Sequence, residues 1–181
     1  MEPPRDFIVP DSPAARRRVR RATVRVLVLD HEDRILLFQD SDPGAGASWW
    51  ITPGGGIDPG ETEHETVLRE LAEETGLQLT MGDVIGPLAR RHVRHGYSDQ
   101  VVEQDDAFYA VRVPAFEIDT AGHTEEEQVT ILASRWWTLA EVAASDDEIW
   151  PVLLLDLVAL LENPDAWPVA LDPVEESSVP V

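Results

Sequence analysis

The feature of the sequence that most restricts the fold is a loop rich in glycine and proline that leads directly into a helical segment. Residues 53–61, PGGGIDPGE, contain too much glycine and proline for regular structure. Thr62 and Glu65 fit a capping box at the start of the helix, and Gly76 lies where a C-terminal glycine cap belongs. The loop and the helix should therefore form one unit in which the backbone of the loop is held close to the first turns of the helix.

This helix carries three glutamates, Glu70, Glu73 and Glu74, on one face, while Val67 and Leu71 lie on the adjoining face. Residues three and four apart are neighbours on a helix, so each exposed like-charge pair costs about 0.2–0.5 kcal/mol. A divalent cation removes that repulsion. Because a set of carboxylate ligands without cysteine favours Mg²⁺ or Mn²⁺ over zinc, we expect one of these ions on the acidic face.

The composition limits the chemistry that can surround such a site. The chain has 181 residues, a formal net charge of −21 and no cysteine, and all fourteen of its basic residues are arginine. These counts exclude cysteine nucleophiles, Schiff-base lysines and phosphate loops that end in Gly-Lys-Ser/Thr. The negative charge disfavours nucleic acid and anionic membranes. A phosphate group would have to be bound by metal, arginine or backbone.

No stretch of the sequence predicts a membrane span or a secretory signal. The longest apolar run, VLLLDLVALL, has about ten residues and contains Asp156, so it is too short to cross a bilayer. The N-terminal residues lack the apolar core of a signal peptide. We therefore expect a cytoplasmic protein without membrane contact.

The chain divides into three predicted parts: an irregular lead-in or tail over 1–21, one domain over 22–162, and a disordered C-terminal tail over 163–181. Within the domain, strand patterns alternate with helical ones, and antiparallel neighbours are expected, which indicates an α/β fold. Strands are predicted at ATVRVLVLD and RILLFQD, as a hairpin, and at WWIT, LQLTMGDVIG, RRHVRH, VVEQDDAFYAVRVP and the start of RWWTLAEVAAS. The end of that last segment, capped by Thr138 and Glu141, and IWPVLLLDLVALLEN predict helices.

Residues 55–77, GGIDPGETEHETVLRELAEETGL, resemble the Nudix box, written Gly-x5-Glu-x7-Arg-Glu-U-x-Glu-Glu-x-Gly-U with U aliphatic. Every fixed position is filled, namely Gly55, Glu61, Arg69, Glu70, Leu71, Glu73, Glu74, Gly76 and Leu77. The resemblance implies a Nudix α/β/α sandwich with a mixed β-sheet. It also implies hydrolysis of the pyrophosphate bond of a nucleoside diphosphate linked to another moiety X, by attack of a metal-activated water on phosphorus.

The resemblance, together with the chemistry of the side chains, assigns roles inside the box. The catalytic and metal-binding groups are three carboxylates and one backbone position: Glu70, Glu73, Glu74 and Gly54. Arg69 supports them through its forked donors, with Glu61 as its partner, and Gly55 supports them because its backbone can approach the site closely.

Outside the box, the assignments rest on fewer observations. Trp50, Arg91, Arg94 and Asp106 are predicted to contact the substrate, Asp106 as an additional carboxylate. Alternation along a strand does not decide between Asp106 and the other acidic candidates, which are Asp105, Glu103 and the glutamates at 125–127.

Three functions fit the sequence to different degrees. A metal-dependent pyrophosphohydrolase acting on a small nucleotide-type diphosphate is preferred, and a non-catalytic nucleotide-sensing module on the same fold is the alternative. The third is an acidic cation-binding protein without phosphate chemistry. The resemblance is compatible with a homodimer, nucleic-acid binding is not expected, and the sequence leaves X open.

Overall fold

The computed structural model describes residues 5–181, so the first four residues of the predicted lead-in lie outside the described part. The strands are β1 (Arg17–Leu29), β2 (Ile35–Asp42), β3 (Ala47–Ile51), β4 (Ile85–Gly96), β5 (Gln100–Arg112), β6 (Ala133–Trp137), β7 (Ile149–Trp150), β8 (Val169–Ala170) and β9 (Val174–Glu175). The α-helices are α1 (Glu63–Thr75), α2 (Glu125–Thr130), α3 (Leu139–Ala144) and α4 (Leu154–Ala159). Short 3₁₀ turns span Pro13–Ala15, Met81–Asp83, Leu160–Glu162 and Pro164–Ala166.

These strands form one mixed sheet in the order β7-β3-β2-β1-β5-β4-β8, with β6 paired to β2 and β9 paired to β4. At its centre, β1 and β5 are parallel along their whole length, from Arg17 opposite Gln100 to Leu29 opposite Arg112. Antiparallel pairs flank them, and the predicted β1–β2 hairpin is confirmed by the pairing of Leu29 with Ile35. The sheet is therefore mixed, as the resemblance implied.

Helices cover both faces of this sheet. Alternate residues of β1 point to opposite sides, so each face presents apolar side chains on which a helix can pack. On one side, α1 packs on the strands in a cluster that includes Val24, Val26, Val28, Val67 and Leu71. On the other side, α3 and α4 contribute to a cluster that includes Leu27, Leu29, Val142, Leu154 and Leu157. This is the predicted α/β/α sandwich. No helix among the described residues is long and apolar enough to cross a membrane.

The signals that predicted α1 are confirmed at both ends. The Thr62 hydroxyl accepts a hydrogen bond from the Glu65 amide at 3.3 Å, and the Glu65 carboxylate accepts one from the Thr62 amide at 2.8 Å. Gly76 adopts a left-handed φ of 76° at the C-terminal cap. The helix therefore starts and stops at fixed residues, which fixes the rotation of its acidic face.

Two predicted elements are wrong in extent. In LQLTMGDVIG the chain stays irregular and makes the turn Met81–Asp83, because Thr80 and Asp83 cap that turn locally; β4 begins only at Ile85. The predicted C-terminal helix is cut to α4, because Ile149–Trp150 pair with β3 as β7 instead.

The prediction of a disordered tail over 163–181 is also wrong. β8 and β9 pair in parallel with β4, and the buried Glu176 carboxylate receives two hydrogen bonds from Arg91, at 2.7 and 2.8 Å. At the other end of the chain, β1 begins at Arg17 within the predicted lead-in, and the Arg16 guanidinium donates to the carbonyl of Val179. Hydrogen bonds from Arg16 and Arg91 thus hold the terminal segments on the domain. A prediction of disorder from low hydropathy does not detect such polar contacts.

His95 is buried next to this C-terminal segment and gives the fold a predicted acid sensitivity. Its Nδ1 donates to the carbonyl of Glu176 at 2.7 Å, while Nε2 has no hydrogen-bond partner among the described residues. Burial lowers the pKa of His95 to about 3. The unfolded chain therefore binds a proton at His95 near pH 6.5, whereas the folded protein does not. Because this proton binding favours the unfolded state, the free energy of unfolding must fall as the pH drops from 6.5 toward 3.

We expect His95→Asn to remove most of the loss in free energy of unfolding that His95 causes at low pH. In the wild type this loss is at most about 5 kcal/mol. The asparagine amide can replace the Nδ1–H donor but does not titrate. Urea unfolding of the two proteins between pH 7 and 4 measures the difference in free energy of unfolding. Parallel pH profiles for wild type and His95→Asn would show that His95 does not set the acid sensitivity.

Candidate active site

The acidic face of α1 opens on a cleft beside the glycine-rich loop. Glu70 and Glu74 are only 7% and 6% exposed, and both carboxylates line this cleft. An oxygen of each lies within 4.8 Å of the other and of a carboxylate oxygen of Glu127, which α2 contributes from the other side. Glu73 lines the same cleft, but its carboxylate is outside this group of three.

The Arg69 guanidinium links the carboxylates of the box. It donates to both oxygens of Glu61 at 2.9 Å, so the predicted partnership of these two residues is present, and to Glu70 at 2.7 Å and Glu73 at 3.2 Å. Its last contact is the carbonyl oxygen of Gly56 at 2.9 Å. The hydrogen bonds from Arg69 lower the pKa of Glu61 to about 2, so this pair stays ionised. Arg69 therefore holds the loop, Glu61 and Glu70 in one arrangement.

The glycine loop fits against the acidic cluster through its backbone. The Gly54 amide donates to Glu74 at 2.8 Å, and Gly54 has a φ of 134° that few other residues adopt. Gly55 lies against Glu70 so closely that a Cβ there would be 2.4 Å from a carboxylate oxygen. The absence of side chains in the loop is therefore what leaves room for the Glu70 carboxylate.

Gly55→Ala should move the Glu70 carboxylate out of this arrangement. We expect turnover to fall by about 10-fold or more, because a displacement of 1 Å at a reacting site has effects of this size or larger. The fold should persist, since the clash is with the end of one side chain. Steady-state kinetics and thermal unfolding of Gly55→Ala measure the two effects. Gly60→Ala is the control for a loop glycine with open space around it, although its φ of 86° should lower stability.

The cluster of three carboxylates is electrostatically strained without a counter-ion. Burial raises the pKa of Glu74 well above its ordinary value, and the charges of Glu70 and Glu127 raise it further. Burial also raises the pKa of Glu70, although Arg69 opposes this. A cation placed among carboxylates that are buried together in this way would stabilise them as anions.

The donor set fits a magnesium or manganese ion. Hard cations of this kind take oxygen ligands, and each of Glu70, Glu74 and Glu127 offers one within the same small volume. The space that a Cβ on Gly55 would fill is taken up by the Glu70 carboxylate, so the loop is shaped to the cluster. Gly54, which was predicted to bind the metal through its backbone, lies beside the cluster with its amide directed to Glu74.

The whole cleft is a cavity of about 240 Å³, and the rest of its lining is also mainly polar and charged. The residues of this lining come from β1, β2, the glycine loop and α2, and include Arg21, Arg25, Asp40, Thr52, Thr124 and Glu126. A small, highly charged molecule fits these walls better than an apolar one.

Four residues predicted to contact the substrate do not line this cleft. Trp50 is buried in the core and packs edge-on against Trp137, and its indole N–H donates to Asp147. Arg94 lies on β4 opposite Glu103, away from the cleft.

The other two, Arg91 and Asp106, form a buried ion pair with an Nε–Oδ2 distance of 3.0 Å. Arg91 also binds Glu176, and Asp106 accepts hydrogen bonds from Thr23 and Gln104. Their charges are paired inside the protein. Of the acidic candidates outside the box, Glu127 is the one whose carboxylate lies within 4.8 Å of Glu70 and Glu74. The sequence carried one signal for Glu127: with Thr124 it forms a capping box that places it on the first turn of α2. Arg21, Arg25 and Asp40 were not predicted.

Comparison with known proteins gives the class of this fold and site. The family model described as the NUDIX domain matches residues 19–156, and the chain belongs to the Nudix family. An RNA pyrophosphohydrolase of Erythrobacter litoralis is 40% identical over 65 residues, which are 36% of this chain and 39% of that protein. A putative 8-oxo-dGTP diphosphatase of Bacillus subtilis is 38% identical over 65 residues, 36% of this chain and 41% of that protein.

An RNA pyrophosphohydrolase of Legionella pneumophila (strain Corby) matches more of the chain, with 29% identity over 101 residues, 51% of this chain and 55% of that protein. The chain thus spans about half the length, or less, of the curated relatives it matches.

Solved structures agree on the fold. The NUDIX domain of Shewanella oneidensis NrtR, complexed with ADP ribose, matches with a TM-score of 0.55 and 20% identity, over 84% of this chain and 94% of that one. A MutT protein from Methanosarcina mazei Go1 matches with a TM-score of 0.54 and 20% identity, over 82% and 96%. At this identity the likeness concerns the fold alone.

Proposed function

We propose that this protein is a metal-dependent pyrophosphohydrolase that cleaves the phosphoanhydride of a nucleoside diphosphate linked to another moiety. The observation that supports it most is the meeting of Glu70, Glu74 and Glu127 in one cleft, within 4.8 Å of one another. The family membership and the names of the relatives support the same class of reaction. The products would be a nucleotide monophosphate and phosphorylated X, or a comparable split.

Each residue of the site has a proposed part in this reaction. Glu70, Glu74 and Glu127 would hold Mg²⁺ or Mn²⁺, with Glu73 next to them on the cleft wall. A bound ion would supply Lewis acidity toward the phosphate oxygens and lower the pKa of water. Arg69 orients Glu70 and neutralises part of the charge of the cluster. A carboxylate of the cluster would take the proton of the attacking water, because burial raises the pKa of Glu70 and Glu74 and so favours proton acceptance.

The Glu127 carboxylate also caps its own helix, because one of its oxygens accepts a hydrogen bond from the Thr124 amide at 2.6 Å. This bond fixes the side chain at the first turn of α2, with the carboxylate directed toward Glu70 and Glu74. The reaction would therefore depend on the position of α2 as well as on the box.

The first test is hydrolysis with Mg²⁺ and Mn²⁺ over a panel of substrates. The relatives' names put RNA and 8-oxo-dGTP first, and ADP-ribose, nucleotide sugars and dinucleotides follow. Metal-dependent release of phosphate, pyrophosphate or nucleotide monophosphate supports the proposal. Binding of a nucleotide in calorimetry without turnover on any substrate would favour the non-catalytic sensing module instead.

Glu127→Gln should weaken metal binding and lower kcat by about 10-fold or more, because it removes one charged ligand of the three. Glu125→Gln is the matched control: it changes an exposed glutamate of the same helix, outside the cluster. Calorimetric titration with Mn²⁺ and steady-state kinetics measure both variants. Equal metal affinity and kcat in Glu127→Gln and wild type would remove Glu127 from the site.

A further inference from the structure

Two arginines of β1, Arg21 and Arg25, line the candidate active site. Arg21 donates from Nε to the side-chain carbonyl of Gln104 at 2.9 Å. Arg25 has only two long contacts, from Nη1 to the carbonyl oxygens of Thr52 and Gly54, both at 3.5 Å. Among the described residues, neither guanidinium has a carboxylate oxygen within 4.0 Å. Both cations thus face the cleft without forming an ion pair.

Other arginines of this chain that are buried or half-buried bind carboxylates through hydrogen bonds and ion pairs. Arg5 makes a two-pronged contact with Asp99, Arg69 binds three glutamates, and Arg91 binds Asp106 and Glu176. In a chain with a net charge of −21, a carboxylate partner is easy to supply. A half-buried guanidinium without one loses part of its hydration and recovers only a part of it from more distant charges, which for Arg25 are those of Asp40, Glu74 and Asp106. Arg25 is therefore poised for an anion that comes from outside.

The position of Arg25 defines which anion it can meet. Its guanidinium lies beside the glycine loop, next to the backbone of Gly54, whose amide binds Glu74 of the metal cluster. A guanidinium offers five N–H donors in a planar fork, and most of those of Arg25 have no acceptor among the described residues. This geometry suits the oxygens of a phosphate group.

Arg25 is also separate from the groups that would act on the bond to be cleaved. Arg69 and the carboxylates lie on the α1 and α2 sides of the cleft, whereas Arg25 and Arg21 come from the sheet. The two arginines are four residues apart on one strand, and so on the same face and roughly 13 Å apart. A phosphate chain that extends past the metal cluster along β1 would meet Arg25 first.

We propose that Arg25 binds the substrate phosphate that adjoins the scissile pyrophosphate, and that it selects a chain of three phosphates over a diphosphate esterified at both ends. This inference rests on the proposed function of the same site. A triphosphate has an additional charged group for Arg25, while a doubly esterified diphosphate has its charge at the metal cluster alone. Arg25 is thus a specificity-determining residue, and Arg21 extends the same positive surface.

Kinetics with ATP and ADP-ribose test the selection directly. Arg25→Ala should raise KM for ATP about 10-fold to 100-fold, the range expected for losing charge-assisted hydrogen bonds, and change kcat/KM for ADP-ribose by less than about 3-fold. The KM of Arg25→Lys for ATP should lie between those of wild type and Arg25→Ala, because lysine keeps the positive charge but loses the planar set of guanidinium donors. Arg18→Ala, an exposed arginine of the same strand outside the cleft, is the matched control and should behave as wild type.

A binding measurement separates this inference from the proposed function. With Mg²⁺ present, inorganic tripolyphosphate should raise the Tm of wild type more than pyrophosphate does, and Arg25→Ala should lose that difference. Mn²⁺ titration without phosphate should be unchanged in Arg25→Ala; weaker Mn²⁺ binding there would mean that Arg25 supports Glu74 rather than the substrate.

Each remaining outcome also decides something. Equal losses on ATP and ADP-ribose would overturn the selection by Arg25 and leave the hydrolase proposal intact. Absence of turnover on every substrate, together with an Arg25-dependent response to tripolyphosphate, would overturn the hydrolase proposal and support phosphate binding by Arg25. If wild type shows neither turnover nor a response to tripolyphosphate, both proposals fail.

Discussion

Glu74→Gln is expected to abolish turnover and, at the same time, to make the metal-free protein more resistant to heat. Turnover should fall by at least about 100-fold, because the variant removes a buried charge from the group that would hold the metal, and metal ions supply several kcal/mol of transition-state stabilisation. The same charge is unfavourable without a cation, since burial and the neighbouring Glu70 and Glu127 raise the pKa of Glu74 well above its ordinary value.

The sign of the stability change follows from linkage. A carboxyl whose pKa is raised on folding holds its proton more tightly in the folded state, so stability is lost as the pH rises through that pKa. At neutral pH, where the unfolded chain has lost this proton, the raised pKa of Glu74 therefore makes this residue destabilise the metal-free protein, and the neutral glutamine removes this cost. In thermal unfolding with EDTA, the Tm of the variant should be higher than that of wild type. Adding Mn²⁺ should raise the Tm of the variant less than that of wild type.

Glu65→Gln is the control for Glu74→Gln on the same helix. Glu65 is an exposed capping-box residue, and glutamine can take its place in that motif. It should keep the wild-type kcat and the wild-type response to Mn²⁺. If Glu74→Gln keeps more than about a tenth of the wild-type kcat, or if its metal-free Tm falls below that of wild type, the assignment of Glu74 to a metal cluster is wrong.

Glu176→Ala is expected to lower the free energy of unfolding by about 3–5 kcal/mol, although Glu176 is far from any predicted functional position in the sequence. Its carboxylate is buried, accepts two hydrogen bonds from Arg91 and one from the Val152 amide, and so fixes three segments of the chain together. Removing it leaves Arg91 with one buried partner, Asp106, and leaves three donors, two of Arg91 and the Val152 amide, without this acceptor. Urea unfolding at pH 7 measures the loss.

Two further variants show whether the loss comes from the buried charge. Glu175→Gln changes the exposed neighbour and should lose less than about 1 kcal/mol, and Glu176→Gln should lose less than Glu176→Ala, because it keeps a side-chain oxygen that can accept from the Val152 amide. At temperatures where Glu176→Ala is folded, its kcat should equal that of wild type. A loss below about 1 kcal/mol for Glu176→Ala would show that the C-terminal segment is not attached as described.

The parts of the fold that sequence alone could predict are those specified by local rules. The capping boxes of α1 and α3, the glycine cap at Gly76 and the alternation in β1 are all short-range signals, and each is confirmed. The arrangement of the box is likewise encoded within 23 consecutive residues, which is why the contact between Arg69 and Glu61 could be predicted.

What sequence could not predict depends on contacts between distant residues. Glu127 reaches Glu70 only because α2 folds back over the cleft, and three adjacent glutamates look alike until that packing is known. Arg91 and Asp106 looked like ligands for a substrate because their partner, Glu176, lies 85 residues further along the chain from Arg91. Trp50 is a core residue for a similar reason: its neighbour Trp137 comes from β6.

The pairing of β8 and β9 with β4 has a practical consequence for anyone who defines this domain by similarity. The family match ends at residue 156, yet β4 finds its outer neighbours at Val169–Ala170 and Val174–Glu175. A chain truncated at the similarity boundary would expose the backbone groups of β4 as an open strand, which is a template for aggregation. The folded domain is therefore longer than the segment that the family model matches. Shortened versions of this protein should retain everything through Pro180, because Arg16 also donates to the carbonyl oxygens of Val179 and Pro180.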